Sequence, residues 1–218
     1  MKAMILAAGR GVRMRPLTDV LPKPLLQVRG KPLIQWTIES LARAGFDDLV
    51  INHAHLGEMI EKALGDGARF GVAIRYSSEG VALETAGGIA KALALLGPEP
   101  FLVVNGDILC DLDYARLRAL ELGPRLAHLV FVPNPPEHAA GDFALEGVLA
   151  RSAGSPKWTF AGIGVYAGAL FAPVASGARA ALAPLLRAAM ERGRVSAEIH
   201  RGQWCDVGTP ARLAALNA

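Results

Sequence analysis

The sequence predicts an α/β fold: a Rossmann-like, three-layer α/β/α arrangement around a mixed, mostly parallel sheet. Three observations carry this. Short apolar runs alternate with amphipathic helical stretches through the first half of the chain, as βαβ units do. The strand candidates are continuously apolar rather than alternating, the pattern of strands covered on both faces. After about residue 127 no long helix separates the strands, so antiparallel pairing is expected to join the parallel part.

Taken in order, Ala3 to Leu6 reads as a buried strand that runs into a loop. Pro32 to Ala44 reads as a helix, with Pro32 in its first turn and Gly45 as its stop. Leu49 to Ile51 is strand-like. Leu56 to Leu64 is helical, with Met59, Ile60, Ala63 and Leu64 on one stripe. Val72 to Tyr76 is the third strand, Gly88 to Leu96 the third helix and Phe101 to Val104 the fourth strand. Tyr114 to Leu122 is a helix whose preceding acids, Asp111 and Asp113, read as capping. His128 to Val132 is a strand, and Pro133-Asn134-Pro135-Pro136 breaks it. Phe143 to Arg151 and Phe160 to Tyr166 read as strands and Ala183 to Arg192 as a helix. Val195 to Val207 reads as a strand, and Pro210 to Leu216 as a closing helix capped by Thr209. No repeat or low-complexity linker divides the chain. One domain over 1–218 is expected, with two lobes, 1–126 and 127–218.

Composition narrows the class. A hydrophobic content of 52% supports a sizeable core. A net charge of +3 is too mild for a dedicated nucleic-acid surface, so any polyanion site should be local. Cys110 and Cys205 form no CxxC pair and have no metal-ligand partner at fingerprint spacing; the usage fits a reducing, cytoplasmic setting. The apolar run Ala3 to Ala8 is too short for a leader, and no stretch reaches the roughly 18 apolar residues of a membrane span, so no membrane partner is expected.

The loop from Ala8 to Lys23 holds Gly9 and Gly11 with Arg10, Arg13, Arg15 and Lys23, against Asp19. In open α/β sheets ligands sit at the carboxyl ends of strands, where this loop begins. Glycines let amide N–H groups converge on an anion, and Pro16, Pro22 and Pro24 stiffen a loop that mere solvation would leave free. A triphosphate is the partner these features suggest. The P-loop pattern is absent, and the dinucleotide fingerprint fails because Met14 stands where its third glycine belongs. Arginine offers a planar fork to phosphate oxygens and lysine a compact charge, so Arg15 and Lys23 are assigned to phosphate. Asp107 follows the strand FLVVN, at a strand end where a ligand crevice opens.

LAAGRGVRMRPLT followed by PKPL resembles the signature loop of the sugar-1-phosphate nucleotidyltransferases. ETAGG (Glu84 to Gly88), VNGD (Val104 to Asp107) and WCDVGTP (Trp204 to Pro210) extend the likeness along most of the chain. The compact length, INHAH, ETAGG and GDF (Gly141 to Phe143) resemble the uridylyl-transferring branch that serves cell-wall recycling. The resemblance implies a GT-A-like nucleotidyltransferase fold. Its implied partners are a nucleoside triphosphate, UTP in that branch, and a sugar 1-phosphate; Mg²⁺ is held by Asp107 and Asp206. It also implies that Gly11, Val12 and Arg13 hold the β- and γ-phosphates and Lys23 the α-phosphate. Ala8 and Gly9 complete the nucleotide set, and Gly80 and Gly88 flank the base. Relatives often carry glycine where this chain has Ala86. Asn105, Asp142 and Gly162 are the sugar-binding candidates. Lys157 does not fit the relatives' E-K-P lysine and stays outside the catalytic set of Arg15, Lys23 and Asp107. His53, His55 and His128 read as structural, and Trp158 and Trp204 as core or pocket wall. A monomer or small homo-oligomer is expected. Guanylyl transfer to mannose or heptose 1-phosphate and a non-catalytic nucleotide-sugar-sensing module are the rival readings; the presence of Arg15, Lys23 and Asp107 together argues for catalysis.

Overall fold

The computed structural model describes residues 1–218. The first half forms β1 (Ala3–Leu6), the small hairpin β2 (Gln27–Val28) and β3 (Lys31–Pro32), α1 (Leu33–Arg43), β4 (Asp48–His53), α2 (Gly57–Leu64), β5 (Ala73–Ser78), α3 (Glu84–Leu96), β6 (Phe101–Asn105), β7 (Ile108–Cys110) and α4 (Tyr114–Arg118). The second half forms β8 (Ala127–Val132), β9 (Phe143–Glu146), β10 (Leu149–Arg151), β11 (Lys157–Tyr166), α5 (Leu182–Glu191), β12 (Val195–Ile199), β13 (Trp204–Asp206) and α6 (Pro210–Asn217).

A nine-stranded sheet in the order β5-β4-β1-β6-β11-β8-β12-β10-β9 forms the middle layer. Neighbours from β5 to β6 are parallel, as are β8 and β12. Only β10 and β11 run against the other strands, so the sheet is mixed and mostly parallel. β1 is wholly apolar because it lies between β4 and β6 with both faces covered: Ala3 and Ile5 join one core cluster and Met4 the other. Ile34, Ile38 and Leu41 of α1 and Ile60 and Leu64 of α2 cover the first face. Ile89 and Leu96 of α3 and Leu186 and Met190 of α5 cover the second. The sheet runs through the boundary at 126/127, since β11 is wedged between β6 and β8. No helix is long and apolar enough to cross a membrane.

Four elements differ from the sequence reading. Val195 to Val207 is not one strand: Arg201, Gly202 and Gln203 are exposed, β12 ends before them, and β13 leaves the main sheet to pair antiparallel with β7. Phe143 to Arg151 is a hairpin that turns at Gly147, φ +58°. α4 stops at Arg118, and Leu120 and Leu122 reach the core from a loop. α3 starts at Glu84, four residues before the expected Gly88.

Candidate active site

The carboxyl ends of β1, β4 and β5 are joined by a buried polar chain. The Ala7 amide donates to Asn52 Oδ1 (2.9 Å), and Asn52 Nδ2 donates to Glu79 Oε1 (2.6 Å). Glu79 Oε2 in turn accepts from the Leu83 amide (2.8 Å). Asn52 is 2% and Glu79 8% exposed, so this chain fixes the start of the glycine-arginine loop relative to the loop before α3. Gly88 makes it possible, because a Cβ there would lie 2.4 Å from Glu79 Oε1 and 2.8 Å from Asn52 Nδ2. Gly88 is therefore buried beneath the pair. Gly80 (φ +67°) is exposed. Leu83 stands at the N-cap of α3, and the Ala86 and Gly87 amides donate to the Ala180 carbonyl (3.0 and 3.1 Å). Asn52 went unremarked in the sequence; the INHAH string contained it, but its partner is 27 residues away.

The loop itself is pinned at two points. Met14 is fully buried in a small cluster with Leu26, Val28, Leu33 and Val207. Gly11 is left-handed (φ +62°), its carbonyl accepts from Thr18 Oγ1 (2.8 Å), and a Cβ there would meet Thr18 Cγ2 at 2.9 Å and Lys23 Cβ at 3.2 Å. Only glycine fits. Arg10, Val12 and Arg13 project outward and are exposed. Arg15 is exposed too, and its Nε pairs with Asp19 Oδ1 at 3.0 Å rather than lining the cleft. Lys23 turns inward, 11% exposed, and pairs with Asp107 Oδ2. Ala8, Gly9, Lys23, Asn105 and Asp107 share one cleft of about 250 Å³.

Asp107 and Asp206 are far apart in sequence and adjacent in space. In the β7–β13 ladder Asp206 lies opposite Ile108, and the Val207 amide donates to the Asp107 carbonyl (2.8 Å). Asp107 Oδ2 accepts from Lys23 Nζ, and Asp206 Oδ1 accepts from Arg212 Nη1, whose Nη2 donates to Glu137 Oε1. Asp107 Oδ1 and Asp206 Oδ2 remain without a hydrogen bond from the chain. Arg13 lies close by: a Cβ on Gly208 would be 3.0 Å from Asp206 Oδ2 and 3.5 Å from Arg13 Nη1. Two aspartates on neighbouring backbone, each with one free carboxylate oxygen, suit a hard divalent cation that completes its shell with phosphate oxygens and water. Arg212 had no motif to announce it; it sits in the first turn of α6, behind the Thr209 cap (Arg212 amide to Oγ1, 3.4 Å).

Asn105 ends β6 and lines both this cleft and a second one of about 480 Å³ that includes Asp142, Phe160 and Arg187. Between Phe160 and Gly164 the register of β11 shifts, and Gly162 in that bulge has φ +74°. A Cβ on Gly162 would lie 2.5 Å from Asn105 Nδ2, so the bulge makes room for the amide. Asp142 is committed to structure: Oδ2 accepts from the Phe160 amide (2.8 Å) and Oδ1 faces His138 Nε2 (3.1 Å). Arg187, an exposed cation on α5, was not anticipated. Lys157 is not among the residues lining this cleft.

The remaining candidates fall outside the clefts. Asp113 accepts from the Ala115 amide (3.0 Å), the expected cap of α4. His128 Nδ1 meets Ser196 Oγ at 2.9 Å, and burial holds its pKa below the ordinary value. His53 Nε2 meets Glu61 at 2.6 Å. Trp204 Nε1 donates to the Ala161 carbonyl (3.0 Å).

Comparison with known proteins places these features. The sequence profile of the nucleotidyl transferase family matches residues 2–135. The N-acetylmuramate alpha-1-phosphate uridylyltransferase of Neisseria meningitidis serogroup B is 54% identical, covering 100% of this chain and 97% of the relative. The UTP–glucose-1-phosphate uridylyltransferase of Synechocystis is 45% identical over 52% of this chain and 32% of its own length. A crystal structure of a Bacillus anthracis protein assigned as a glucose-1-phosphate thymidylyltransferase superposes with a TM-score of 0.86 at 22% identity, covering 100% of this chain and 94% of that one. That last likeness is one of fold.

Proposed function

The chain belongs to the nucleotidyltransferase family, and on that premise we propose that it joins UTP and N-acetylmuramate 1-phosphate to give UDP-N-acetylmuramate and pyrophosphate. The observation that carries this reading is the 54% identity to the Neisseria enzyme along the whole chain, sugar-side half included. The reaction belongs to peptidoglycan recycling in the cytoplasm.

An oxygen of the sugar 1-phosphate attacks the α-phosphorus of UTP. The new P–O bond forms as the bond from Pα to the oxygen bridging it to Pβ breaks, and that oxygen leaves with its electron pair as a terminal oxygen of pyrophosphate. A phosphate oxygen is already nucleophilic at neutral pH, so no side chain has to be activated. The protein must bring two mutually repelling anions together and offset the charge that spreads over the phosphoryl oxygens. Lys23, turned inward at the cleft floor, meets the α-phosphate. Arg13 and Arg15, on the outer loop, reach the β- and γ-phosphates with the Gly11 and Val12 backbone; Arg15 leaves Asp19 to do so, at little cost, because an exposed pair is worth ~0–1 kcal/mol. Asp107 and Asp206 would hold Mg²⁺, which would supply a Lewis acid when bound. Arg212 aims Asp206, and Lys23 does the same for Asp107. The Asn52–Glu79 chain holds the loop against which the uracil ring rests. Asn105, with the space left by Gly162, meets the sugar, and Asp142 holds the bulge that creates that space.

The test is pyrophosphate release with Mg²⁺ and each nucleoside triphosphate against a panel of sugar 1-phosphates. Release with UTP and N-acetylmuramate 1-phosphate is expected. Release only with GTP and mannose or heptose 1-phosphate would replace this reading with guanylyl transfer. Turnover with no pair would leave a sensing role.

A further inference from the structure

The β7–β13 ribbon carries Asp107 and Asp206 at one end. At its other end three side chains of different chemistry converge: Cys110, Asp111 and His200, whose Sγ, carboxylate oxygen and ring nitrogen all lie within 4.8 Å of one another. We propose that this trio is a transition-metal site, and that Zn²⁺ is the ion it takes.

The argument rests on how the trio is built. Each residue is fixed through its backbone. Cys110 pairs with Trp204 in the ribbon, the Asp111 amide donates to the Gln203 carbonyl (3.1 Å), and the His200 amide donates to the Phe131 carbonyl (2.8 Å). His200 Nε2 and Asp111 Oδ1 already meet at 2.8 Å. Gly202 leaves that meeting point open, because a Cβ there would lie 2.3 Å from Asp111 Oδ1 and 2.8 Å from His200 Nε2. Cys110 and Asp111 also line two adjoining surface clefts, which give an ion a way in. Tetrahedral Zn²⁺ with bonds of about 2.0–2.3 Å spaces its ligands roughly 3.3–3.8 Å apart, so the trio closes on it with movements of about 1 Å. A thiolate, an imidazole and a carboxylate form a borderline-soft set that suits Zn²⁺ and is poorly matched to Mg²⁺, which prefers oxygen alone. The two ends of the ribbon are thus sorted by chemistry, about 10 Å apart for a three-residue strand.

On binding, Cys110 loses its thiol proton to the buffer, the His200 ring proton moves to Nδ1, and Nε2, Sγ and the Asp111 carboxylate each bond to the ion. Water fills the fourth position. The ion then ties the turn after β12 to the end of β7 and so steadies the ribbon. Cys205 takes no part: it lies opposite Leu109, one position along from the Cys110–Trp204 pair, so its side chain leaves the other face of the ribbon.

The test is titration of the purified protein with Co²⁺ as a spectroscopic stand-in, followed by competition with Zn²⁺. One equivalent of Co²⁺ should produce a thiolate-to-cobalt charge-transfer band in the wild type, in C205S and in D107N. C110S should lose the band. C110S and H200Q should each weaken Zn²⁺ binding by more than the roughly 10–100-fold that losing an outer-shell partner costs. Zn²⁺ should raise the thermal midpoint of the wild type and leave that of C110S unchanged. Absence of the band in the wild type, its survival in C110S, or its loss in C205S would each overturn the assignment. If C110S does not fold, H200Q and D111N, changed at partly exposed side chains, decide the matter by the same band and competition.

Discussion

Gly162→Ala puts the proposed sugar side under the most exact strain. Gly162 has φ +74°, and a Cβ there would sit 2.5 Å from Asn105 Nδ2, 2.8 Å from its Cγ and 3.1 Å from its Cβ. The left-handed backbone costs alanine about 1–2 kcal/mol. For a chain of this size that lowers the thermal midpoint by roughly 2–8 °C. Restoring ordinary contact also requires the Asn105 amide to move by about 0.5–1 Å, away from where the two clefts meet. A misplacement of ~1 Å costs on the order of 100-fold in rate, about 2.7 kcal/mol in the barrier. The assay is steady-state pyrophosphate release with each substrate varied in turn. The loss should fall on kcat and on the KM for the sugar 1-phosphate, with the KM for UTP little changed, since Ala8, Gly9 and Lys23 are untouched. Asn105→Ala should lose a similar amount, and the double variant little more, because both act on the same amide. Wild-type kinetics in a folded Gly162→Ala, or a loss confined to UTP, would refute the reasoning.

Lys23→Met should lower kcat/KM by about 100–1000-fold, the ~2.7–4 kcal/mol of one lost charge contact in the transition state; a loss under tenfold in the pyrophosphate assay would remove Lys23 from the chemistry. Glu79→Ala strips Asn52 Nδ2 and the Leu83 amide of their buried acceptor and should lower stability by about 1–3 kcal/mol per orphaned group, read as a fall in the urea midpoint. His128 should make the protein acid-sensitive. Burial holds its folded pKa below the ordinary 6.5, Glu198 opposes this, and Arg125 and Arg116 add to it. The unfolded chain therefore binds the proton first, so stability is fully present above about pH 6.5 and falls as the pH drops below it. Urea midpoints at pH 7.5 and pH 5.5 should differ more for the wild type than for His128→Gln; equal differences would assign the sensitivity elsewhere.

Much of the architecture is written locally. Ala3 to Leu6, Leu49 to Ile51 and Phe101 to Val104 are unbroken apolar runs because both faces of each strand are covered, and burial of that kind shows in the side chains themselves. Gly11 was legible as a turn glycine, although the reason it must be glycine, Thr18 and Lys23 packed against its α-carbon, is tertiary. What stayed hidden depended on partners distant in sequence. Asn52 looks like an ordinary polar residue closing a strand until Glu79 and Ala7 are placed around it. Gly88 matches a base-loop motif, yet its missing Cβ serves that buried pair. Arg212 lies on a short, weakly patterned helix just after Asp206, and its second partner, Glu137, is 75 residues away. Cys110 and His200 are 90 residues apart, beyond any spacing rule for metal ligands.

The account stands on the glycine-arginine loop and the two aspartates enclosing one polyphosphate. The most direct test is a crystal structure of the protein grown with Mn²⁺ and a non-hydrolysable UTP analogue, read by anomalous scattering from the manganese. The prediction is a peak between the carboxylates of Asp107 and Asp206, bonded to Oδ1 of the first and Oδ2 of the second, with Lys23 on the α-phosphate and Arg13 and Arg15 turned onto the outer phosphates. A triphosphate bound away from that peak, or carboxylates that share no ion while the arginines stay in solvent, would contradict it.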